Sequence, residues 1–183
     1  MAIVLVVLAA VAVLALYGVG LFNRLVKQRN EVREAWAGID VQLARRADLI
    51  PNLVETVKGY AAHERETLQA VIEARNRLTA ASTPGEAATA DAQLQQATKS
   101  LFALAEKYPD LKASTNFLDL QRQLAATEED ISLARRYYNA MVETYNTGQQ
   151  KFPAVLLAGP FGHRPAEYFE AEESARTAPR VEF

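Results

Sequence analysis

The first 22 positions, Met1 to Phe22, hold 20 hydrophobic residues, two glycines and no ionisable side chain. As a helix this run spans about 33 Å, against a hydrocarbon core of about 30 Å, so the pattern predicts a transmembrane anchor over residues 1–23. A cleaved signal peptide is the competing reading, with Ala9, Ala10 and Ala12 loosely imitating a cleavage site. It is disfavoured because no Lys or Arg precedes the run, which also exceeds the usual apolar region of about 7 to 15 residues. Arg24, Lys27, Arg29 and Arg33 follow at once. By the positive-inside rule they place the amino terminus outside and the bulk of the chain in the cytoplasm.

Beyond the anchor, apolar residues recur at alternating steps of three and four. Phe22, Leu25, Val32, Trp36, Ile39, Leu43, Ile50, Leu53, Val57, Tyr60, Val71, Ala74 and Leu78 share one heptad frame, interrupted by Arg29, Arg46, Glu64 and Thr67. A second series runs from Ala87 through Leu94 and Leu101 to Tyr108, and a third from Phe117 through Leu124, Ile131, Tyr138 and Tyr145 to Phe152. No segment alternates at period two, so the chain is expected to be all-α.

Punctuation divides these series. Thr83-Pro84-Gly85-Glu86 reads as a capping box with proline at the first helical position. Tyr108-Pro109 ends the second series, and Ser114 or Thr115 can cap the third. Pro51 either kinks one very long helix or follows a tight turn. The frame stays in phase across it, which favours continuity, but an uninterrupted helix to residue 80 would outrun its partners. Asp48 is also a good N-cap that would put Pro51 in a first turn. A break near Arg45 to Asp48 is therefore expected, giving an antiparallel four-helix bundle over residues 24–152. Residues 153–183, with four of the seven prolines, form an irregular C-terminal tail. Its Leu156, Leu157, Phe161, Tyr168, Phe169, Val181 and Phe183 are too apolar for a fully solvated linker, so part of it should dock.

Composition narrows the chemistry. The chain has 20 basic and 22 acidic residues for a net charge of −2, and a pI near 5.8 argues against a nucleic-acid partner. There is no cysteine, which excludes disulfides and thiol catalysis. Neither His63 nor His163 follows a Glu at the spacing of a carboxylate-bridged metal bundle. No Ser sits in a Gly-x-Ser-x-Gly elbow and no phosphate-binding glycine loop occurs. No catalytic residue, metal or cofactor is therefore expected. The run Glu128-Glu129-Asp130 and the pair Arg135-Arg136 read as a solvated face with local ion pairs.

Two polar features remain. Arg46 and Glu64 fall on the apolar seam, where they either fix register or lie at frayed helix ends. Asn52, Glu55, Gly59 and His63 form a polar stripe at helical spacing that packing does not require. Gly59 within it is either a tolerated surface glycine or a place where another backbone lies close. The stripe is expected to receive the tail near Tyr168-Phe169 or a partner protein.

Arg45-Arg46-Ala47-Asp48-Leu49-Ile50-Pro51-Asn52-Leu53-Val54-Glu55 and the following Thr56 to Glu64 resemble the LemA family of bacterial membrane proteins. Ala35-Trp36-Ala37-Gly38-Ile39-Asp40, Tyr108-Pro109-Asp110-Leu111-Lys112, Ala134-Arg135-Arg136-Tyr137-Tyr138-Asn139 and Pro179-Arg180-Val181-Glu182-Phe183 fit the same pattern, in order, over nearly the whole chain. The resemblance implies a single-pass protein of the bacterial inner membrane with a cytoplasmic helical bundle. It brings no enzymatic activity and no ligand residue. The expected function is a membrane-anchored, non-enzymatic interaction or scaffold module. Its partners are the bilayer, through residues 1–22, and another protein, a second copy of the chain being one allowed partner. The alternative is a sensor that binds a small ligand in the bundle core. That needs a polar-lined cavity, whereas the seams are filled with Leu, Ile, Val, Tyr and Phe.

Overall fold

A computed structural model describes residues 1–170, so Val181 and Phe183 of the expected docked tail lie outside the described residues. The order is α1 (Ala2–Lys58), α2 (Arg65–Ala80), α3 (Pro84–Ala105), α4 (Pro109–Lys112), α5 (Thr115–Gln150) and α6 (Ala154–Ala158). No strand occurs among the described residues, and the chain is all-helical, with a long apolar N-terminal helix.

The expected break near Arg45 to Asp48 is absent: α1 is one helix of 57 residues with Pro51 inside it. Proline removes the N–H that would bond the carbonyl four residues back, which here is that of Ala47. That carbonyl is buried with its residue, and the Arg75 guanidinium of α2 donates to it through Nε at 3.4 Å. A side chain thus supplies the donor that proline lacks. Burial of Ile50, Leu53 and Val57 on either side of the exposed proline holds the helix in phase. The turn falls later, at residues 59–64, where Ala61 N–H still reaches the Val57 carbonyl at 2.9 Å and Glu64 N–H reaches Ala61 at 3.1 Å. Gly59 is a poor helix residue, and Glu64 and Thr67 leave the apolar frame empty at that place.

The chain forms two compact units. The first comprises Met1–Trp36 and Tyr137–Glu167. Its α1 residues up to Val19 are almost entirely exposed and apolar, and α1 is long and apolar enough to cross a membrane. Further along, Leu25, Val32 and Ala35 are buried, as are Tyr138, Val142 and Tyr145 of α5. Trp36 and Tyr138 rings lie 5.7 Å apart. The tail, read from sequence as irregular, includes the short α6, whose Ala154 and Ala158 cluster with Leu25.

The second unit comprises Ala37–Arg136 and, of the described residues, the tail from Tyr168 to Glu170. Ile39, Leu43, Ile50, Leu53 and Val57 of α1 are buried in it, with Leu68, Val71 and Leu78 of α2, Leu94, Leu101 and Leu104 of α3, and Phe117, Leu124 and Ile131 of α5. Apart from Leu68, which lies one place off the frame, these are positions of the periodic series, and Tyr60 of that series is exposed. The capping box forms as expected: Glu86 N–H donates to Thr83 Oγ1 at 3.2 Å, and Thr83 N–H donates back to Glu86 Oε2 at 3.2 Å. The second series ends earlier than read, at Ala105, and Pro109 opens the one-turn α4 instead of only closing its predecessor.

The Pro51 geometry gives a double-mutant test. Arg75→Met should cost about 0.5–1.5 kcal/mol by leaving the Ala47 carbonyl unbonded. In a Pro51→Ala background, where a backbone N–H takes that carbonyl, the same change should cost almost nothing. Equal costs in both backgrounds, by denaturant unfolding of the detergent-solubilised chain, would show that Arg75 does not serve this carbonyl.

Candidate functional site

Arg46 sits in the buried middle of α1, its side chain 7% exposed. Its Nη1 donates to Asp91 Oδ1 of α3 at 2.6 Å, and its Nη2 is paired with Glu128 Oε2 of α5. Gln95 of α3 donates to the other Glu128 oxygen at 2.5 Å. Burial pushes the Asp91 carboxyl up from its usual range, while the Arg46 charge and hydrogen bond pull it back. Phe169 of the tail is 2% exposed and lines a cleft of about 190 Å³ with Asp91, Gln95, Glu128 and Arg135. Tail residue Phe169 therefore docks beside this ion cluster. Of the two places offered for Arg46 by the sequence, the frayed end is not the one it occupies. Glu64, by contrast, does stand at a helix end, preceding α2 and accepting from Tyr108 Oη at 3.0 Å.

Asp91 and Glu128 escaped the sequence reading. Asp91 lies one position from the seam residue Ala90, and Glu128 one position from Thr127, which is itself fully buried. That adjacency was the available signal. The acidic run suggests a solvated face with local partners, yet Glu128 reaches α1, as does Asp130, whose carboxylate lies 3.8 Å from Arg45.

The polar stripe divides. Asn52, Glu55 and Thr56 of α1 line an open groove of about 440 Å³ with Asn116, Asp119, Leu120 and Gln123 of α5. Gly59 and His63 stand in the turn beyond α1 and do not line that groove. A side chain at Gly59 would meet only backbone oxygens of its own helix, the nearest at 3.5 Å. Tail residues through Glu170 do not line the groove either. Its two carboxylates have cations three residues away on their own helices, Lys58 at 3.7 Å from Glu55 and Arg122 on Asp119.

In the first unit the tail is strapped to α5. Tyr138 Oη donates to the Glu167 carbonyl at 2.7 Å, and burial pushes this phenol up to about 12. Asn146 donates to the Ala166 carbonyl at 2.9 Å and accepts from Ala166 N–H at 2.8 Å. Tyr145 Oη and His163 Nδ1 are hydrogen-bonded at 3.0 Å. His163, read as a tail residue without a role, is buried, and its Nε2 has no hydrogen-bond partner. Burial, then the nearby Arg29 charge, lowers its pKa.

A model of the LemA family matches residues 35–183, a span that contains the ion cluster, the groove and the strap. The chain is 26% identical over 162 residues to Protein LemA of Metamycoplasma hominis, covering 86% of this chain and 73% of that protein. It is 24% identical over 182 residues to Magnetosome protein MamQ 2 of Paramagnetospirillum magneticum, covering 85% of this chain and 67% of that one. Similarity to Magnetosome protein MamQ of Magnetospirillum gryphiswaldense is 23% identity with the same coverage.

Two measurements probe the buried polar groups. Arg46→Met should destabilise the chain by roughly 3 kcal/mol, because Asp91 is left buried without its cation. Adding Asp91→Leu and Glu128→Gln should recover most of that loss. No recovery would mean that the guanidinium contributes by something other than answering these carboxylates. For His163, a folded pKa below the usual 6.5 means that the unfolded chain binds the proton more readily. Stability should then fall as pH drops below 6.5. The decline should be shallower for His163→Gln, and identical slopes would remove His163 as its source.

Proposed function

This chain belongs to the LemA family, and from that membership we propose that it is a membrane-anchored, non-enzymatic interaction module offering a polar helical groove to a protein partner. The observation that carries the proposal is α1 itself. Its first residues are an exposed apolar run with the length to span a bilayer, and its last turns form one wall of the groove through Asn52 and Glu55. Arg24, Lys27, Arg29 and Arg33 favour the inner face of the bacterial membrane for everything that follows the run.

The groove chemistry suits a partner bearing basic side chains. Among the described residues, Glu55 and Asp119 are held by exposed pairs within their own helices. Such pairs are worth little, about 0.3–0.5 kcal/mol, so a partner's Lys or Arg displaces them at low cost. Gly59 and His63 follow next along the chain, in the turn after α1 and outside the lining of this groove. The buried Arg46 cluster serves as its frame, fixing α1 against α3 and α5, while Glu64 ties the turn before α2 to Tyr108. An internal ligand site is less well supported, because Ile39, Ile50, Leu53, Leu94 and Leu101 fill the interior. The names of the relatives describe no reaction, which agrees with a non-enzymatic role.

A photo-crosslinking side chain at Asn52 or Glu55, in native membranes, should trap a protein other than the chain itself. The same probe at the exposed Gln96 of α3 should trap none. Gly59→Leu should leave unfolding of the purified chain unchanged while weakening these crosslinks. A cytoplasm-dependent fluorescent reporter fused after Phe183 should mature. Homodimer crosslinks alone would replace the partner by a second copy. Silence at both groove positions, or export of the reporter, would sink the corresponding part of the reading.

A further inference from the structure

The chain from the end of α5 to just past α6 exposes apolar side chains. Phe152, Val155, Leu156 and Phe161 are 81%, 49%, 64% and 57% exposed, whereas Ala154 and Ala158 on the other side of α6 are buried with Leu25. The Phe161 ring lies 5.1 Å from that of Phe22, the residue at which the uncharged run ends. This outward apolar face is therefore fixed at the level where α1 leaves hydrocarbon. Leu25 is about 4.5 Å further along the helix axis than Phe22, within the roughly 5–10 Å that an interfacial segment buries.

Beside it lies a cleft of about 380 Å³ between α1 and α5, with Arg24, Gln28, Thr144, Thr147 and Lys151 in its lining and Glu143 as the carboxylate there. Gln28 is 8% exposed, and its Oε1 is buried without a hydrogen-bond donor. The absence of a side chain at Gly148 makes room for it, since a Cβ there would stand 2.6 Å from Oε1. That oxygen is turned to Gly148 and covered, so recognition in the cleft falls to its charged groups. Two cations against one carboxylate add a preference for an anion.

We propose that residues 152–161 lie in the membrane interface beside the anchor, and that this cleft seats an anionic phospholipid headgroup. The phosphate is taken by Arg24 and Lys151, beside Gln28 and Thr147 in the cleft lining. The occupant is lipid because the surface is continuous with the bilayer-spanning run and shares its depth. Basic pockets beside membrane helices are suited to anionic headgroups, and exposed apolar faces of this kind mark contact surfaces. The inference rests on α1 spanning the bilayer as proposed above.

The chain has no cysteine, so single spin labels report position in the full chain reconstituted into phosphatidylcholine vesicles containing phosphatidylglycerol. A label at Leu8→Cys reports the anchor, one at Leu156→Cys the proposed contact, and one at the exposed Val41→Cys an aqueous control. Leu156→Cys should be relaxed by oxygen and protected from a water-soluble nickel reagent, as Leu8→Cys is, while Val41→Cys should show the reverse. Spin-labelled phosphatidylglycerol should be enriched around the chain over the phosphatidylcholine analogue, about fivefold per basic residue. Arg24→Gln with Lys151→Gln should abolish most of that enrichment without moving the Leu156→Cys label out of lipid. If Leu8→Cys is itself aqueous, the anchor reading fails and this inference with it. If Leu8→Cys is in lipid but Leu156→Cys is aqueous, or is shielded from both reagents by protein, the interfacial contact is overturned. Enrichment that is absent or indifferent to the two substitutions overturns the headgroup site.

Discussion

A guanidinium that leaves water must find carboxylates, and in the second unit this requirement binds three helices through one side chain. Arg46 extends from α1 to Asp91 of α3 and Glu128 of α5, and Gln95 secures the second carboxylate from the side. Apolar seams alone tolerate sliding by a helical turn, since Leu, Ile and Val replace one another at modest cost. The ion cluster does not tolerate it, because a shifted register strands a buried charge. The buried ion cluster thus adds specificity of packing to the affinity of the apolar residues around it. The placement of Phe169 against the same cleft extends the constraint to the tail.

Pro51 is the complementary case. Here the backbone, not a side chain, loses a partner, and the repair comes from Arg75 on the next helix. Proline in a helix interior commonly marks a break, yet a neighbouring donor makes the position continuous. The same accounting of donors and acceptors explains the strap on α5, where Asn146 serves both the N–H and the carbonyl of Ala166. A tail without a regular hydrogen-bonding pattern stays attached because amide and phenol side chains stand in for the missing backbone partners.

The all-helical class and the core were legible in the sequence because burial imposes a period. Ile39, Leu43, Ile50, Leu53 and Val57 were placed on the buried face by spacing alone, and the Thr83 to Glu86 cap by residue type. The position of the first turn was not legible. Asp48 and Pro51 carry the local signals of a helix start, and what overrides them, Arg75 against Ala47, is a contact between residues 28 apart. The pairing of Arg46 was hidden for the same reason, with Asp91 and Glu128 lying 45 and 82 positions away. Of the polar stripe, only Asn52 and Glu55 line one groove. The spacing argument that joined them to Gly59 and His63 assumed a helix that has already ended.

Those separations also set an order for the chain as it is made. A growing polypeptide presents α1 before α2, so the Ala47 carbonyl at the proline waits for Arg75. Synthesis of α2 supplies Arg75, α3 then brings Asp91 to Arg46, and Glu128 arrives only with α5. Each partner appears later along the ribosomal timetable than the group it answers, and domains generally fold as units. The nascent chain therefore carries an unfinished polar site on α1 until α5 has emerged.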